Sequence, residues 1–135
     1  MIIAVDFEGT CVSKDYPKMG KTIKGAPSTL RKLAKKGHKI ILYTLRSHLD
    51  RNKETSEVIK SDTLQEAINW FKERNIPLYA VNENPDQKRW TSSSKLSADI
   101  YIDDKSLGVP LKLQDSKLCV DWKKVRKLLK QRHLL

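Results

Sequence analysis

The sequence has little of what marks several classes of protein. Its two cysteines, Cys11 and Cys119, are too few and too far apart for a disulfide framework or a zinc site. Glycine and proline are scarce, at five each, and no segment is of low complexity, so fibrous and disordered chains are excluded. No apolar run approaches the roughly 20 residues that cross a bilayer. We therefore expect a cytosolic protein with no membrane contact.

Positive charge, in contrast, is abundant. The chain has 27 Lys and Arg against 16 Asp and Glu, which gives a formal net charge of +11. Such a field attracts anions, so phosphate-bearing ligands and nucleic acid are candidate partners. No aromatic motif of the RNA-recognition type accompanies the charge. The alternative is that the lysines only form solvated helix faces, as in Lys32, Lys35 and Lys36 or Lys123, Lys124, Lys127 and Lys130.

Short apolar runs alternate with amphipathic stretches along the 135 residues. Continuous apolar runs are typical of strands buried on both faces, and they predict strands over residues 2–5, 39–43, 78–81 and 98–102. Helical spacing predicts helices over residues 27–36, after an Asp62 cap and after an Asp121 cap, while residues 46–61 and 82–94 are expected to be loops. The prediction is a single α/β domain over residues 1–135, a three-layer α/β/α sandwich around a parallel sheet.

Acidic or hydroxyl side chains directly follow three of these strands in the sequence. Asp6, Thr44 and Asp103 all fall at carboxyl ends, where parallel sheets bind their ligands. If Asp6 lies close to Asp103 and Asp104, the carboxylates repel one another unless a divalent cation lies among them. Mg²⁺ prefers such oxygen ligands. The pattern indicates a magnesium site, although an Asp and a Glu in a surface turn is the simpler alternative for residues 6–10.

Four segments resemble the motifs of the haloacid dehalogenase superfamily. The run Asp6-Phe7-Glu8-Gly9-Thr10 resembles motif I, normally Asp-x-Asp-Gly-Thr, and Thr44 resembles motif II. Lys95 resembles the motif III lysine, and residues 98–104, ending in Asp103-Asp104, resemble motif IV. The segment Tyr16-Pro17-Lys18-Met19-Gly20 is similar to one found after motif I in a small bacterial group of phosphatase-like members. The resemblance extends over nearly the whole chain.

The resemblance implies a Mg²⁺-dependent phosphomonoester hydrolase that works through an aspartyl-phosphate on Asp6. Glu8 would be the acid/base, the Thr44 hydroxyl would donate to a phosphoryl oxygen, and Lys95 would offset charge. Metal ligands would be Asp6, the backbone carbonyl of Glu8 and Asp103, with Asp104 a water-mediated ligand or the partner of Lys95. Substrate contacts are expected from Gly9, Thr10, Leu45 and Arg46.

Two features of the sequence bear on this interpretation: a departure from motif I at Glu8 and the absence of room for a cap. Glu8 stands where the phosphatases of the superfamily have Asp. Glu has the same chemistry but one extra methylene, and misplacement of the acid by about 1 Å can cost on the order of a hundredfold in rate. The span from Thr10 to Thr44 is too short for a large cap domain, so an open site is expected. Two alternatives stay open: a protein that binds or processes nucleic-acid ends, and a catalytically impaired binding module.

Overall fold

A four-stranded parallel sheet forms the centre of the protein, for which a computed structural model describes residues 1–135. The strands are β1 (Ile2–Val5), β2 (Lys39–Leu42), β3 (Ala80–Val81) and β4 (Ile100–Ile102). They lie side by side in the order β3-β2-β1-β4. All four predicted strands are present, but β2 ends one residue earlier than predicted, and β3 and β4 each begin two residues later. The last begins later than predicted because the Ala98 N–H donates to the Tyr101 hydroxyl instead of joining a ladder.

Three helices follow the predicted pattern. They are α1 (Ala26–Lys35), α2 (Thr63–Glu73) and α3 (Trp122–Gln131). Both predicted caps are confirmed, because the Asp62 carboxylate accepts from the Gln65 N–H at 2.9 Å and the Asp121 carboxylate from the Lys124 N–H at 3.1 Å. None of the helices is long and apolar enough to span a membrane.

All three helices pack on one face of the sheet. Ile3 and Val5 alternate with Ala4 along β1, and the first two belong to a core of 23 buried residues that also contains the apolar side chains of α1, α2 and α3. The opposite face holds a small cluster of Ala4, Ile41 and Leu96, to which no helix contributes. The α/β class with a parallel sheet is thus confirmed, but the expected second helical layer is absent.

Crossover geometry explains this difference. The steps β1-α1-β2 and β2-α2-β3 move across the sheet in one direction, so right-handed crossovers place α1 and α2 on the same face. The return from β3 to β4 crosses the other face and consists of residues 82–99, whose only regular element is the 3₁₀ turn Pro85–Arg89. Leu96 from this connection packs on Ala4 and Ile41. The sequence pattern did predict a loop over residues 82–94. It did not predict that this connection would cover its face of the sheet without a helix.

A two-stranded hairpin between β4 and α3 was not predicted. It consists of β5 (Leu111–Gln114) and β6 (Lys117–Val120). Its second strand is tied to the loop after β1, where the Val120 N–H donates to the Gly9 carbonyl at 2.9 Å. The hairpin therefore supports the backbone of the segment that carries the candidate site.

Candidate functional site

Three carboxylates meet at the carboxyl ends of β1 and its neighbour, the edge strand β4. β1 and β4 pair in parallel with Val5 opposite Ile102, and the Asp6 N–H continues the ladder to the Ile102 carbonyl at 3.0 Å. Asp6, Asp103 and Asp104 each offer an oxygen, and these oxygens lie within 4.8 Å of one another. The predicted convergence of the acids that follow β1 and β4 is confirmed.

The turn after Asp6 holds this cluster together. The Thr10 hydroxyl donates to Asp6 Oδ2 at 3.1 Å and accepts from the Asp104 N–H at 3.1 Å, so it links both sides of the cluster. Gly9 has φ +76°, and a Cβ there would lie 2.5 Å from Asp104 Oδ2. Only glycine permits this approach. Thr10, through its hydrogen bonds, and Gly9, through its lack of a side chain, therefore determine the shape of the acidic site.

Electrostatics make the cluster unfavourable without a cation. Burial, and next the charge of Asp103, raise the pKa of Asp6 from its ordinary value to about 8. Burial also raises the pKa of Asp103. A nucleophilic carboxylate has to be ionised near neutral pH. A positive charge close to Asp6 is therefore a requirement for such a role.

Part of that positive charge comes from Lys14. Its Nζ lies 2.8 Å from Asp104 Oδ2, and this hydrogen bond raises the pKa of Lys14 above its ordinary value. The missing Cβ of Gly9 makes room for the lysine, since a Cβ would lie 2.9 Å from Lys14 Cε. Lys95, predicted for this place, is instead exposed and forms no ion pair. The structure therefore brings Lys14, not Lys95, to the acids.

The remaining donors fit a divalent cation. Asp104 Oδ1 is buried and has no hydrogen-bond partner, which is costly for a carboxylate oxygen unless a cation binds it. The Glu8 carbonyl accepts no backbone hydrogen bond, whereas the carbonyls of Phe7 and Val12 in the same turn do. Carboxylates and carbonyls are the ligands that Mg²⁺ prefers. The predicted ligand set of Asp6, the Glu8 carbonyl, Asp103 and Asp104 is chemically suited to the ion.

Arg46 has a different position from the one predicted. Its Nε donates to Glu8 Oε1 at 2.5 Å, while Nη1 and Nη2 donate to the carbonyls of Thr63 and Lys18. The Arg46 side chain is only 1% exposed. It is therefore a partner of Glu8 rather than a contact for substrate. Its place in the sequence, two residues after a strand-terminal Thr, does not reveal this burial.

Thr44 lies just beyond β2, two residues after Leu42. Its Oγ1 accepts from the Arg46 N–H at 3.1 Å, and its own N–H donates to Asn82 Oδ1 at 2.8 Å. The hydroxyl hydrogen is left free to donate to a ligand. Leu45, a predicted substrate contact, is 96% exposed beside it. Asn82, which sequence reasoning placed in a plain loop, fixes the end of β2 from β3.

A cleft opens beside Asp6 on the helix-free face of the sheet. It has a volume of about 210 Å³, and its lining includes Ala4, Asp6, Tyr43, Tyr101 and Ser106. Ala4 is small, and two tyrosines flank the space above it: Tyr43, directly after β2, and Tyr101, on β4, with ring centres 6.5 Å apart. The Tyr101 ring is held by its hydroxyl, which donates to the Leu96 carbonyl. An aromatic wall thus adjoins the acids.

A buried acid outside this cluster, Asp50, organises the loop after β2. It accepts from the Tyr16 hydroxyl at 2.8 Å and from the hydroxyls of Ser47 and Thr63. Burial raises the pKa of Asp50, but these hydrogen bonds together lower it below the ordinary value. The network joins the loops that follow β1 and β2, and it had no signal in the sequence.

Comparison with known proteins gives one informative result. No protein-family model matches the chain, and no curated protein matches it either. Among solved structures, a conserved protein from Bacteroides thetaiotaomicron is similar, with 33% sequence identity and a TM-score of 0.73. The match covers 98% of this chain and 91% of that one. The similarity therefore includes nearly the whole chain.

Proposed function

This chain belongs to the same family as the conserved Bacteroides thetaiotaomicron protein, and we propose that it is a Mg²⁺-dependent phosphomonoester hydrolase of the haloacid dehalogenase superfamily. One observation carries the proposal: Asp6, Asp103 and Asp104 converge from two strands to within 4.8 Å at the rim of a parallel sheet. Asp6 follows a buried strand and precedes a turn that only Gly9 permits, as the motif I resemblance requires.

In this proposal the chemistry has two steps. The Asp6 carboxylate attacks phosphorus, the bond from phosphorus to the ester oxygen breaks, and that oxygen takes a proton from Glu8. A water molecule then attacks the phosphorus of the aspartyl-phosphate as Glu8 takes back a proton, which releases phosphate and restores Asp6. When bound, Mg²⁺ supplies charge neutralisation for the phosphoryl oxygens.

The other side chains have supporting roles. The Thr44 hydroxyl, with its hydrogen free, donates to a phosphoryl oxygen. Lys14 offsets negative charge through its contact with Asp104, the role that the motif resemblance gave to Lys95. Arg46 aims Glu8, whose extra methylene would otherwise leave its carboxylate free to swing. Positioning and electrostatics provide most of the catalysis in such phosphoryl transfers.

The surroundings of the site favour an open entrance. Residues 6–25 link β1 to α1 and residues 43–62 link β2 to α2, and these links contain no helix and only isolated bridges. We place the enzyme in the uncapped group of the superfamily and keep the cytosol as its proposed compartment. The aromatic wall of Tyr43 and Tyr101 favours substrates with a flat or apolar group beside the phosphate.

Hydrolysis of p-nitrophenyl phosphate tests the proposal. The wild type should release phenolate in the presence of Mg²⁺ and stop when EDTA is added, and Asp6→Asn should be inactive. Asp15→Asn, an exposed acid in the same loop, is the matched control and should retain activity. Activity that persists in Asp6→Asn and in EDTA would contradict the mechanism. A burst of one phenolate per protein without further turnover would instead indicate the impaired alternative.

A further inference from the structure

The excess positive charge of the chain is concentrated on two helices. Residues 26–36, which are α1 and its C-terminal cap, and residues 122–132, which are α3 and its cap, contain ten Lys and Arg and no Asp or Glu. The chain has 27 Lys and Arg and 16 Asp and Glu, so the remainder, with 17 basic and 16 acidic residues, is almost neutral. The basic field is therefore local to α1 and α3.

These cations are not neutralised within the protein. None of the ten takes part in an ion pair, although eight ion pairs occur elsewhere. Nine of them are exposed and Arg126 is half-buried. The apolar sides of both helices are buried in the core, so the cations lie on the solvent side of the helical layer. An unpaired array of this kind attracts a partner that carries many negative charges.

The two helices lie side by side and run in the same direction. At their first ends, a Cβ on Gly25 would lie 2.9 Å from Trp122 Cβ. Beyond their last ends, His38 Nε2 is 3.0 Å from the Leu134 carbonyl oxygen. Trp122 Nε1 also donates to the Thr10 carbonyl at 2.7 Å, which fixes the first ends near the acidic site. The basic face thus extends from the rim of the sheet over the ten residues of α3, about 15 Å.

The amino-acid composition of this basic face indicates which kind of polyanion it can bind. Leu128 is its only exposed large apolar residue, whereas helices that bind membrane surfaces bury a continuous apolar side in the lipid. Trp122 is fully buried, so no aromatic ring is presented for base stacking. What is presented is a set of flexible cations, which contact phosphates and do not read bases.

We propose that the α1–α3 face binds the phosphate backbone of nucleic acid without sequence preference. This goes beyond the hydrolase proposal, because the surface lies outside the acidic site and does not depend on Asp6. The cations on α3 with the most exposed positions are Lys123, Lys124, Lys127 and Lys130. Each contacted phosphate releases counterions, so binding must weaken steeply as salt rises.

Fluorescence anisotropy with a labelled duplex of about 20 base pairs, in a series of salt concentrations from about 50 mM, tests the inference. The variant carries Gln at the four α3 lysines, a residue that keeps helix propensity. The matched control carries Gln at four exposed lysines elsewhere, Lys53, Lys60, Lys72 and Lys88, and has the same net charge. Mg²⁺-dependent hydrolysis of p-nitrophenyl phosphate should be equal in both variants, so a failure of binding is distinguishable from a failure of the hydrolase proposal.

We expect the wild type to bind and the α3 variant to lose affinity by at least about tenfold at low salt, with the slope of log K against log salt reduced by up to about 3 to 4. The control should keep most of the affinity. Equal losses in the two variants would overturn the inference, because net charge and not the α1–α3 face would then be responsible. Absence of wild-type binding at low salt, or binding to anionic phosphatidylserine vesicles but not to the duplex, would overturn it as well.

Discussion

Arg46 Nε donates a hydrogen bond of 2.5 Å to Glu8 Oε1, and the Arg46 side chain is itself buried. Its other two nitrogens donate to the backbone carbonyls of Thr63, the first residue of α2, and of Lys18, in the loop after β1. Its plane also lies over the Phe7 ring, 5.1 Å from the ring centre. The carboxylate of the longer Glu8 side chain is therefore held in place by a buried arginine. This contact explains how Glu can be accommodated where Asp is usual.

Arg46→Gln should consequently lower kcat more than it raises KM. Without its anchor the Glu8 carboxylate is free to move, and misplacement of about 1 Å costs on the order of a hundredfold in rate. Steady-state and burst kinetics with p-nitrophenyl phosphate measure the effect, and the burst should remain because Asp6 is untouched. Arg51→Gln, an exposed arginine in the same loop, is the control. A folded Arg46→Gln protein with unchanged kcat would show that the contact is only structural.

Asp6→Asn should stabilise the metal-free protein. An acid whose pKa is raised to about 8 holds more protons in the folded state, so the metal-free wild type loses stability as pH rises from about 4 toward 8. Thermal unfolding at pH 8 in EDTA should show a higher Tm for the variant, by a few degrees or more for each ~1 kcal/mol.

Mg²⁺ provides the complementary measurement. It should raise the Tm of the wild type, because a ligand that binds only the folded state stabilises it, and it should have much less effect on Asp6→Asn. Asp15→Asn should behave as the wild type does. Equal Mg²⁺ shifts in Asp6→Asn and the wild type would remove Asp6 from the metal site.

Elements with a strong local pattern were predictable from the sequence. β1 is confirmed at both ends, and the N-caps Asp62 and Asp121 are confirmed because capping is chemistry between neighbours in the chain. The hairpin of β5 and β6 was missed. The run Leu111-Lys112-Leu113-Gln114 does alternate apolar and polar residues, but it has only four residues, and its leucines are the exposed side chains of the strand.

Part of the site was predictable for a similar reason. A carboxylate directly after a parallel strand has to lie at the sheet rim, so Asp6 and Asp103 are expected at the same edge of the sheet. That they meet depends on the pairing of β1 with β4, which order along the chain does not determine. Lys14 and Arg46 were not predictable in their roles. Both reach their partners across loops whose paths depend on long-range contacts. Lys14 does not stand out among 27 basic residues, and Arg46 was predicted as a substrate contact rather than as the partner of Glu8.

Asp50 should make the protein sensitive to acid. Burial alone would raise its pKa, but the hydroxyl hydrogen bonds lower it below the ordinary value. A depressed pKa stabilises the fold above the unfolded pKa of about 3.9, and this stability is lost as pH falls through the lower folded value. Urea unfolding from pH 7 down to pH 3 should therefore show a steeper loss for the wild type than for Asp50→Asn. Asp15→Asn should follow the wild type, and parallel curves for all three would contradict the assignment.

Tyr43→Ala should discriminate between substrates. Tyr43 walls the cleft beside Asp6 and is 43% exposed, so its ring is available to a flat group attached to the phosphate. Contacts of this kind contribute about 1 kcal/mol, and KM for an aryl phosphate should rise by roughly fivefold to tenfold. KM for a small alkyl phosphate should hardly change. Tyr79→Ala, outside the cleft, is the control, and equal changes for both substrates would remove the aromatic wall from recognition.

Lys14→Gln and Lys95→Gln together decide which lysine serves the site. Lys14 contacts Asp104 at 2.8 Å, whereas Lys95 is exposed without an ion pair, so only the first change removes positive charge from the acids. Loss of one preorganised charge from a transition state commonly costs about a hundredfold in kcat, and we expect a loss of that order for Lys14→Gln. Lys95→Gln should stay within about threefold of the wild type, since surface charges contribute little. The reverse order of effects, measured with the same aryl phosphate at saturating Mg²⁺, would return the charge-offsetting role to Lys95 and would mean that the loop of residues 82–99 closes over the cluster when substrate binds.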